Sequence, residues 1–189
     1  MKQTELVPAV ILGMTATGLS VARSLGRKHI PVIGLDKNKN NAGMHSRYCK
    51  SLVCPDAVNK EKEFVEYLIK VGQIESTKSI LFIAADEYLV AVSNNREALS
   101  NYFKFNIPSK EIVDAFINKI ESYKIAVKYG LLCPKTYCIN NENDLICYSN
   151  KMNYPCVLKP TLSHLWHRIH SAIKVIVVNS PEEAKAAYI

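Results

Sequence analysis

The sequence predicts an α/β fold: a doubly wound parallel sheet over residues 1 to about 108, followed by an incomplete α+β segment over 109–189. Three observations lead there. Short apolar runs without helical period alternate with amphipathic stretches of 3.6-residue period as far as residue 107. Glycine, aspartate or proline punctuates most of these runs, as strand ends at a parallel sheet edge require. Near Pro108 the alternation stops and helix-rich sequence takes over.

Ala9 to Leu12 is a compact apolar run ending at Gly13, and is expected to be a strand buried on both faces. After Gly18, the residues Leu19, Ala22, Leu25 and His29 share a helical face, opposite Arg23, Arg27 and Lys28. Pro31 opens a second strand, Val32 to Leu35, closed by Asp36. Lys37 to Lys50 is polar and reads as a loop across the strand ends. Ser51 to Cys54 is a third strand stopped by Pro55. Phe64, Leu68 and Val71 mark a helix ending near Gly72, and Ile80 to Ala84 is the fourth and most apolar strand. A helix carrying Leu89, Val92 and Leu99 follows, then a brief strand about Phe105. Strands separated by helices in this way imply right-handed crossovers into one parallel sheet.

Beyond Pro108, Ser109 reads as an N-cap with Glu111 in the first turn. Ile112, Phe116 and Ile120 line one face of a helix that continues to Tyr129 and stops at Gly130. Lys135 to Ile139 reads as a strand, Asn143 to Met152 as a helix, and Pro155 to Lys159 as another strand. Thr161 to Ala172 looks irregular, and Lys174 to Val178 returns as a strand. Ser180-Pro181-Glu182-Glu183 then opens a helix with an N-cap, Pro at the first position and acids in the first turn. The chain stops inside that helix with strands still in need of partners, so a longer parent protein is expected. Val175 and Val177 are expected to be exposed, and the Thr161 to Ala172 loop disordered.

The chain has 189 residues, with 48% apolar and 22% charged, which excludes disordered, collagenous and low-complexity classes. Its longest apolar stretch, Ile80 to Ala85, is far short of the ~18 residues of a membrane span. Val7 to Met14 is almost wholly apolar, but Glu5 spoils a basic leader and no clear cleavage site follows; a cytoplasmic location is expected. The net charge of +7 is carried mainly by lysines spread along the chain, whereas a nucleic-acid binder clusters its basic residues and favours arginine. Neither nucleic acid nor membrane is expected as a partner. Cys49, Cys54, Cys133, Cys138, Cys147 and Cys156 show no C-x-x-C spacing, so neither disulfides nor a cysteine metal site is expected.

Several residues are candidates for chemistry. The turn Gly13-Met-Thr15-Ala-Thr17-Gly18 places small and hydroxyl residues at a helix N-terminus, where free N–H groups attract anions; equally, its glycines serve a tight turn. Asp36 stands where a ribose-binding acid of a dinucleotide site would sit. Asp86-Glu87-Tyr88 follows the fourth strand at the ligand-binding edge of such sheets, where Asp86 either caps the next helix or meets a ligand. Lys119 lies in a mostly apolar helix and Lys159 ends a strand before Pro160; taken singly, each reads as a lysine with a buried stem and a solvated head. His164, His167 and His170 recur every third residue around Trp166 and Arg168, with no carboxylate or cysteine nearby. They are read as structural or phosphate-facing rather than as a metal site.

Taken in order, these features resemble the ATP-grasp superfamily, in its carboxylate–amine ligase and carbamoyl-phosphate-synthase-like branches. The resemblance runs over essentially the whole chain. Gly13-Met-Thr-Ala-Thr-Gly18-Leu-Ser-Val-Ala-Arg-Ser-Leu-Gly-Arg27, then Ile30-Pro-Val-Ile-Gly-Leu-Asp36, is similar to the Rossmann-like domain preceding the grasp. Ser46-Arg-Tyr-Cys-Lys50 and Asp86-Glu-Tyr88 follow in the family's order. Asn118-Lys119, Gly130 and Pro134-Lys-Thr136 match the segment that an Asp-Lys pair opens in the family, and Tyr154-Pro-Cys-Val-Leu-Lys159-Pro160 resembles the strand whose lysine touches ATP phosphates. Two departures stand out. Asn118 replaces the usual Asp, and Thr161-Leu-Ser-His-Leu-Trp-His-Arg168 stands where a glycine-rich lid is usual, like a variant lid of some amino-acid ligases.

The resemblance implies that Lys119 and Lys159 bind ATP, and that a carboxylate is activated as an acyl phosphate for attack by an amine. Candidate substrate or phosphate contacts are Gly13, Thr15, Thr17, Gly18, Asp86, Glu87, Ser163, His164 and Arg168. The Mg²⁺ that accompanies ATP takes its ligands beyond residue 189 in the family, so the piece alone is expected to be inactive. The implied partners are small-molecule carboxylate and amine substrates, with a homo-oligomer left open. The alternative is a non-catalytic Rossmann-type nucleotide-binding or regulatory module, which uses Asp36 and the first turn and leaves Lys119 and Lys159 unexplained.

Overall fold

The computed structural model describes residues 6–74, 77–162, 165–166 and 175–188. It divides into two compact units, Met1–Val113 and Asp114–Ile189. In the first unit β1 (Ala9–Leu12), α1 (Ala16–Gly26), β2 (Val32–Asp36), β3 (Lys50–Val53), α2 (Glu61–Gly72), β4 (Ser79–Ile83), α3 (Asp86–Asn94), α4 (Arg96–Ser100) and β5 (Phe103–Lys104) follow in order. The strands form one parallel sheet in the order β3-β2-β1-β4-β5.

β1 is central because its four residues are apolar and all are buried. Its alternation feeds two layers. Val10 and Leu12 pack with Phe64, Leu68, Tyr88, Val92, Leu99 and Phe103, so α2, α3 and α4 cover one face. Ala9 and Ile11 pack with Met14, Ala22 and Val32 on the face that α1 covers. That division is what a doubly wound sheet requires.

Several local expectations need correction. His29 lies past the end of α1 in a turn with φ +60, and is exposed rather than on the apolar face. The polar 37–50 segment contains a short 3-10 helix, Ala42–His45, whose Gly43 N–H donates to the Met14 carbonyl at 2.8 Å. The helix expected across Leu89 to Leu99 is broken at Asn95 into α3 and α4, and Tyr88 rather than Leu89 fills the core. β5 is at Phe103, not Phe105, because Phe103 pairs with Ser79 beneath the core.

α5 (Lys110–Ile117) spans the division between the units and α6 (Lys119–Lys128) follows it, so the single helix expected to run to Tyr129 is two. Asn118 makes the break: its Oδ1 accepts from the N–H groups of Ile120 at 3.0 Å and Glu121 at 3.3 Å, capping α6. The stop at Gly130 is as expected. Gly130 has φ +68, its N–H donates to Val127 and that of Leu131 to Ala126, the paired bonds of a Schellman motif.

The rest of the second unit comprises α7 (Glu142–Ser149), β6 (Cys156–Leu158), β7 (Ile176–Val178) and α8 (Pro181–Ala186). β6 and β7 pair antiparallel, and Leu145, Val178 and Ala184 form the core beneath them. Ser180 caps α8, its Oγ accepting from the Glu183 N–H at 3.2 Å. Val175 and Val177 are exposed, as expected. Lys135 to Ile139 is not a strand. Its alternation arises because Ile139 joins the core while the Tyr137 ring stacks near Tyr148 and its hydroxyl donates to the Lys151 carbonyl at 3.0 Å, with no ladder.

Candidate functional site

In the first unit, parallel strands bring their carboxyl ends to one edge, and β1 and β4 are the neighbours at which strand order reverses. Gly13, Asp36 and Asp86 all lie on this edge, where open α/β sheets bind ligands. Gly13 has φ +90, and a Cβ there would lie 3.0 Å from the Cβ of Ala85, so the first turn can sit tightly against the β4–α3 turn. Gly18 packs directly on the Gly13 carbonyl, which leaves no room for a side chain. Both glycines therefore have structural duties. Thr15 occupies the N-cap position of α1 without a side-chain capping bond, and Thr15 and Thr17 are exposed. Both threonines thus stand at the positive end of the helix dipole.

Asp36 does not have the freedom a ribose-binding acid needs. It is 3% exposed, and Oδ2 accepts from the Met14 N–H at 2.6 Å and from Asn41 Nδ2 at 2.8 Å. Oδ1 accepts from the Asn38 N–H at 2.8 Å. A carboxylate holding three internal donors clasps the loops together instead of reading a cofactor.

Glu87 is paired: Lys37 Nζ lies 3.1 Å from its carboxylate and 3.5 Å from that of Asp56. The Lys37 backbone N–H donates to the Tyr88 hydroxyl at 3.0 Å, and Tyr88 lies 3.8 Å from the Cys54 sulfur. Burial pushes the Cys54 thiol up to about 11, and burial likewise raises the Tyr88 phenol far above its usual range. Neither ionises near neutrality. Asp86 is the first residue of α3, but Ala85 holds the N-cap position, so Asp86 is not the cap. Its exposed carboxylate has no bonding partner among the described residues, which leaves it available to a ligand.

In the second unit, Lys119 is the half-buried first residue of α6. Its backbone N–H donates to the Thr161 carbonyl at 3.1 Å. Lys159 lies just beyond β6, which ends at Leu158, and it is exposed, so no burial penalty demands a partner for it. Neither ammonium is ion-paired among the described residues. Ser163, His164 and Arg168 lie outside the described residues, as do His167 and His170. Among the described residues no group of three or more His, Cys, Asp or Glu could hold a metal ion, and no helix is long and apolar enough to cross a membrane.

A Rossmann-like sheet with a glycine-bounded first turn, followed by a small α+β unit, is the fold found in the N-terminal part of solved ATP-grasp ligases. Comparison with known proteins agrees. No family model matches the chain. It is 24% identical over 191 residues to D-aspartate ligase of Enterococcus faecium, covering 95% of this chain and 44% of that protein. The structure is similar to L-amino acid ligase from Bacillus licheniformis, with a TM-score of 0.69, 15% identity, and coverage of 97% of this chain and 42% of that one. It is also similar to N5-carboxyaminoimidazole synthetase from Staphylococcus aureus complexed with ADP, with a TM-score of 0.70, 10% identity, and coverage of 100% and 46%. The relatives are ATP-grasp ligases, and the chain spans less than half the length of each of these three.

Proposed function

We propose that this chain supplies the N-terminal part of an ATP-dependent carboxylate–amine ligase, with residues 1–108 as the pre-grasp domain and 109–189 as the first part of the grasp. The observation that carries this reading is the bond from the Lys119 N–H to the Thr161 carbonyl. It ties the start of α6 to the chain two residues past Lys159, bringing the two segments that carry the unpaired lysines together. Two ammonium groups without carboxylate partners suit the phosphates of a nucleotide.

In the proposed reaction, the terminal phosphoryl group of ATP passes to a carboxylate oxygen as its bond to ADP breaks, giving an acyl phosphate and ADP; the amine nitrogen then bonds to the acyl carbon, loses a proton to solvent, and phosphate leaves. Lys119 and Lys159 neutralise phosphate oxygens and hold the nucleotide in place. Asn118 fixes the first turn of α6 and so fixes Lys119. In the first unit, Thr15, Thr17 and Asp86 at the sheet edge orient a small carboxylate or amine substrate. The described residues show no ligand set for Mg²⁺.

Calorimetric titration of ATP, carried out on the longer parent protein, tests the reading. Lys159→Ala and Lys159→Met are each expected to weaken ATP binding by about tenfold or more, since a phosphate charge loses its counter-ion. Unchanged affinity in both variants overturns the assignment. Binding of NAD in preference to ATP would favour a dinucleotide module, although Asp36 is already fully engaged.

A further inference from the structure

Of Arg23, Arg27, Arg47, Arg96 and Arg168, the first three meet on one patch of the first unit. Arg23, Arg27, His45, Ser46, Arg47 and Tyr48 line an open hollow of about 570 Å³. A second hollow of about 290 Å³, running along α1, shares Arg23 and Arg27 in its wall. Arg23 lies in the last turn of α1, Arg27 is its C-cap, and Tyr48 lies just before β3 begins. The patch is therefore at the amino edge of the sheet, opposite the edge that carries Gly13 and Asp86.

Two features hold the guanidinium groups together. A Cβ at Gly26 would lie 2.6 Å from the Cβ of Tyr48, so the missing side chain lets Tyr48 seat directly against α1. Arg47 then lies over the Tyr48 ring, 5.1 Å from its centroid, and donates to its hydroxyl at 3.1 Å. Arg47 and, after it, Arg27 hold the Tyr48 phenol below its usual range, so the hydroxyl sits beside arginines from two separate elements. Cations at a helix C-terminus are favoured by its dipole, which accounts for Arg23 and Arg27. It does not account for Arg47, which the 3-10 segment delivers from elsewhere in the chain.

Among the described residues no carboxylate lines either hollow and no ion pair engages these arginines. Ser46 Oγ accepts from the Tyr48 N–H at 3.2 Å and retains its own O–H as a donor. Three planar guanidinium forks with a hydroxyl beside them match the several oxygens of a phosphate group. We propose that this hollow binds a small phosphate-bearing anion, at a site separate from Lys119 and Lys159.

Titration with inorganic pyrophosphate at low ionic strength tests this, on the 189-residue chain carrying Lys119→Met and Lys159→Met so that the two lysines contribute nothing. Saturable binding is expected, and adding Arg27→Gln with Arg47→Gln should weaken it by about tenfold or more. Tyr48→Phe keeps the ring against Gly26 but removes the oxygen that Arg47 bonds, and should weaken binding by about threefold. It serves as the second variant should the arginine pair unfold the chain. The exposed Lys62→Gln should leave affinity unchanged. Absence of saturable binding, equal weakening by Lys62→Gln, or unchanged affinity in Tyr48→Phe and the arginine variant would each overturn the proposal. Citrate binding more tightly than pyrophosphate would assign the hollow to carboxylates and overturn it as well.

Discussion

The Asp36 carboxylate accepts the Met14 backbone N–H at 2.6 Å, joining two sheet-edge turns whose bonded residues are 22 positions apart. The same side chain holds Asn38 and Asn41, so one buried acid closes the base of the polar 37–50 segment over the first turn.

Asp36→Ala should accordingly destabilise the first unit by about 3 kcal/mol or more, since it strands three donors that the fold has taken from water. Asp36→Asn, which keeps one acceptor and turns an NH₂ toward donors, should cost less, about 1–3 kcal/mol. Urea unfolding followed by circular dichroism measures both. A loss below the error of the fit in Asp36→Ala would show that the clasp is dispensable.

Two glycines separate steric from conformational cost. Gly18→Ala places a Cβ against the Gly13 carbonyl, so backbone must move; a loss of about 2 kcal/mol or more is expected. Gly130→Ala meets open space but must hold φ +68, and should cost only about 1 kcal/mol. Gly130→Asn should cost less still, because asparagine tolerates that conformation. Thermal melts of the three variants give the ranking.

Asn118→Ala removes the acceptor for two N–H groups of α6 and should cost about 1 kcal/mol. Asn118→Asp keeps the acceptor and adds a negative charge at the helix N-terminus, for a gain of ~0.5 kcal/mol at neutral pH. Loss of that gain in high salt would confirm its electrostatic origin, and a destabilised Asn118→Asp would contradict it.

Alkaline pH should weaken the first unit. The Cys54 thiol is raised from 9.0 to about 11 in the folded chain, so the unfolded chain loses this proton first. Its contribution is complete below pH 9.0 and is lost as pH rises toward about 11. The urea midpoint should fall across that window, and fall less steeply in Cys54→Ser. At pH 8, alkylation should reach exposed Cys147 well before buried Cys54, as peptide mass spectrometry would show.

Much of this architecture was legible in the linear pattern. The four apolar residues of β1 read as a strand buried on both faces because the run is short and Gly13 closes it. Ser180-Pro181-Glu182-Glu183 announced α8, since capping chemistry is local and needs no distant partner. Where local signals were ambiguous, the reading failed. Ile112, Phe116 and Ile120 keep one period across Asn118, and only the return of its side chain onto Ile120 and Glu121 shows that two helices meet there. Tyr137 and Ile139 alternate like a strand because Tyr137 packs by Tyr148 and Ile139 joins the core of Leu145, Val178 and Ala184, which a period of two cannot distinguish from a ladder.

The sequence by itself determined the alternation of strands and helices over the first hundred residues, the carboxyl-edge position of Gly13, Asp36 and Asp86, and the resemblance that singles out Lys119 and Lys159. These follow from periodicity, punctuation and motif order, all carried by near neighbours. Folding decided which of those groups remain available. Asp36 is consumed by Met14, Glu87 by Lys37, and Asp86 is left open. Folding also gathered Arg23, Arg27 and Arg47 around Tyr48, a cluster with no trace in the linear order because β2 and the 3-10 helix separate its members. The reason is the same in each case: a polar side chain's partner is set by which elements the sheet brings together, and hydrogen bonds act only at contact.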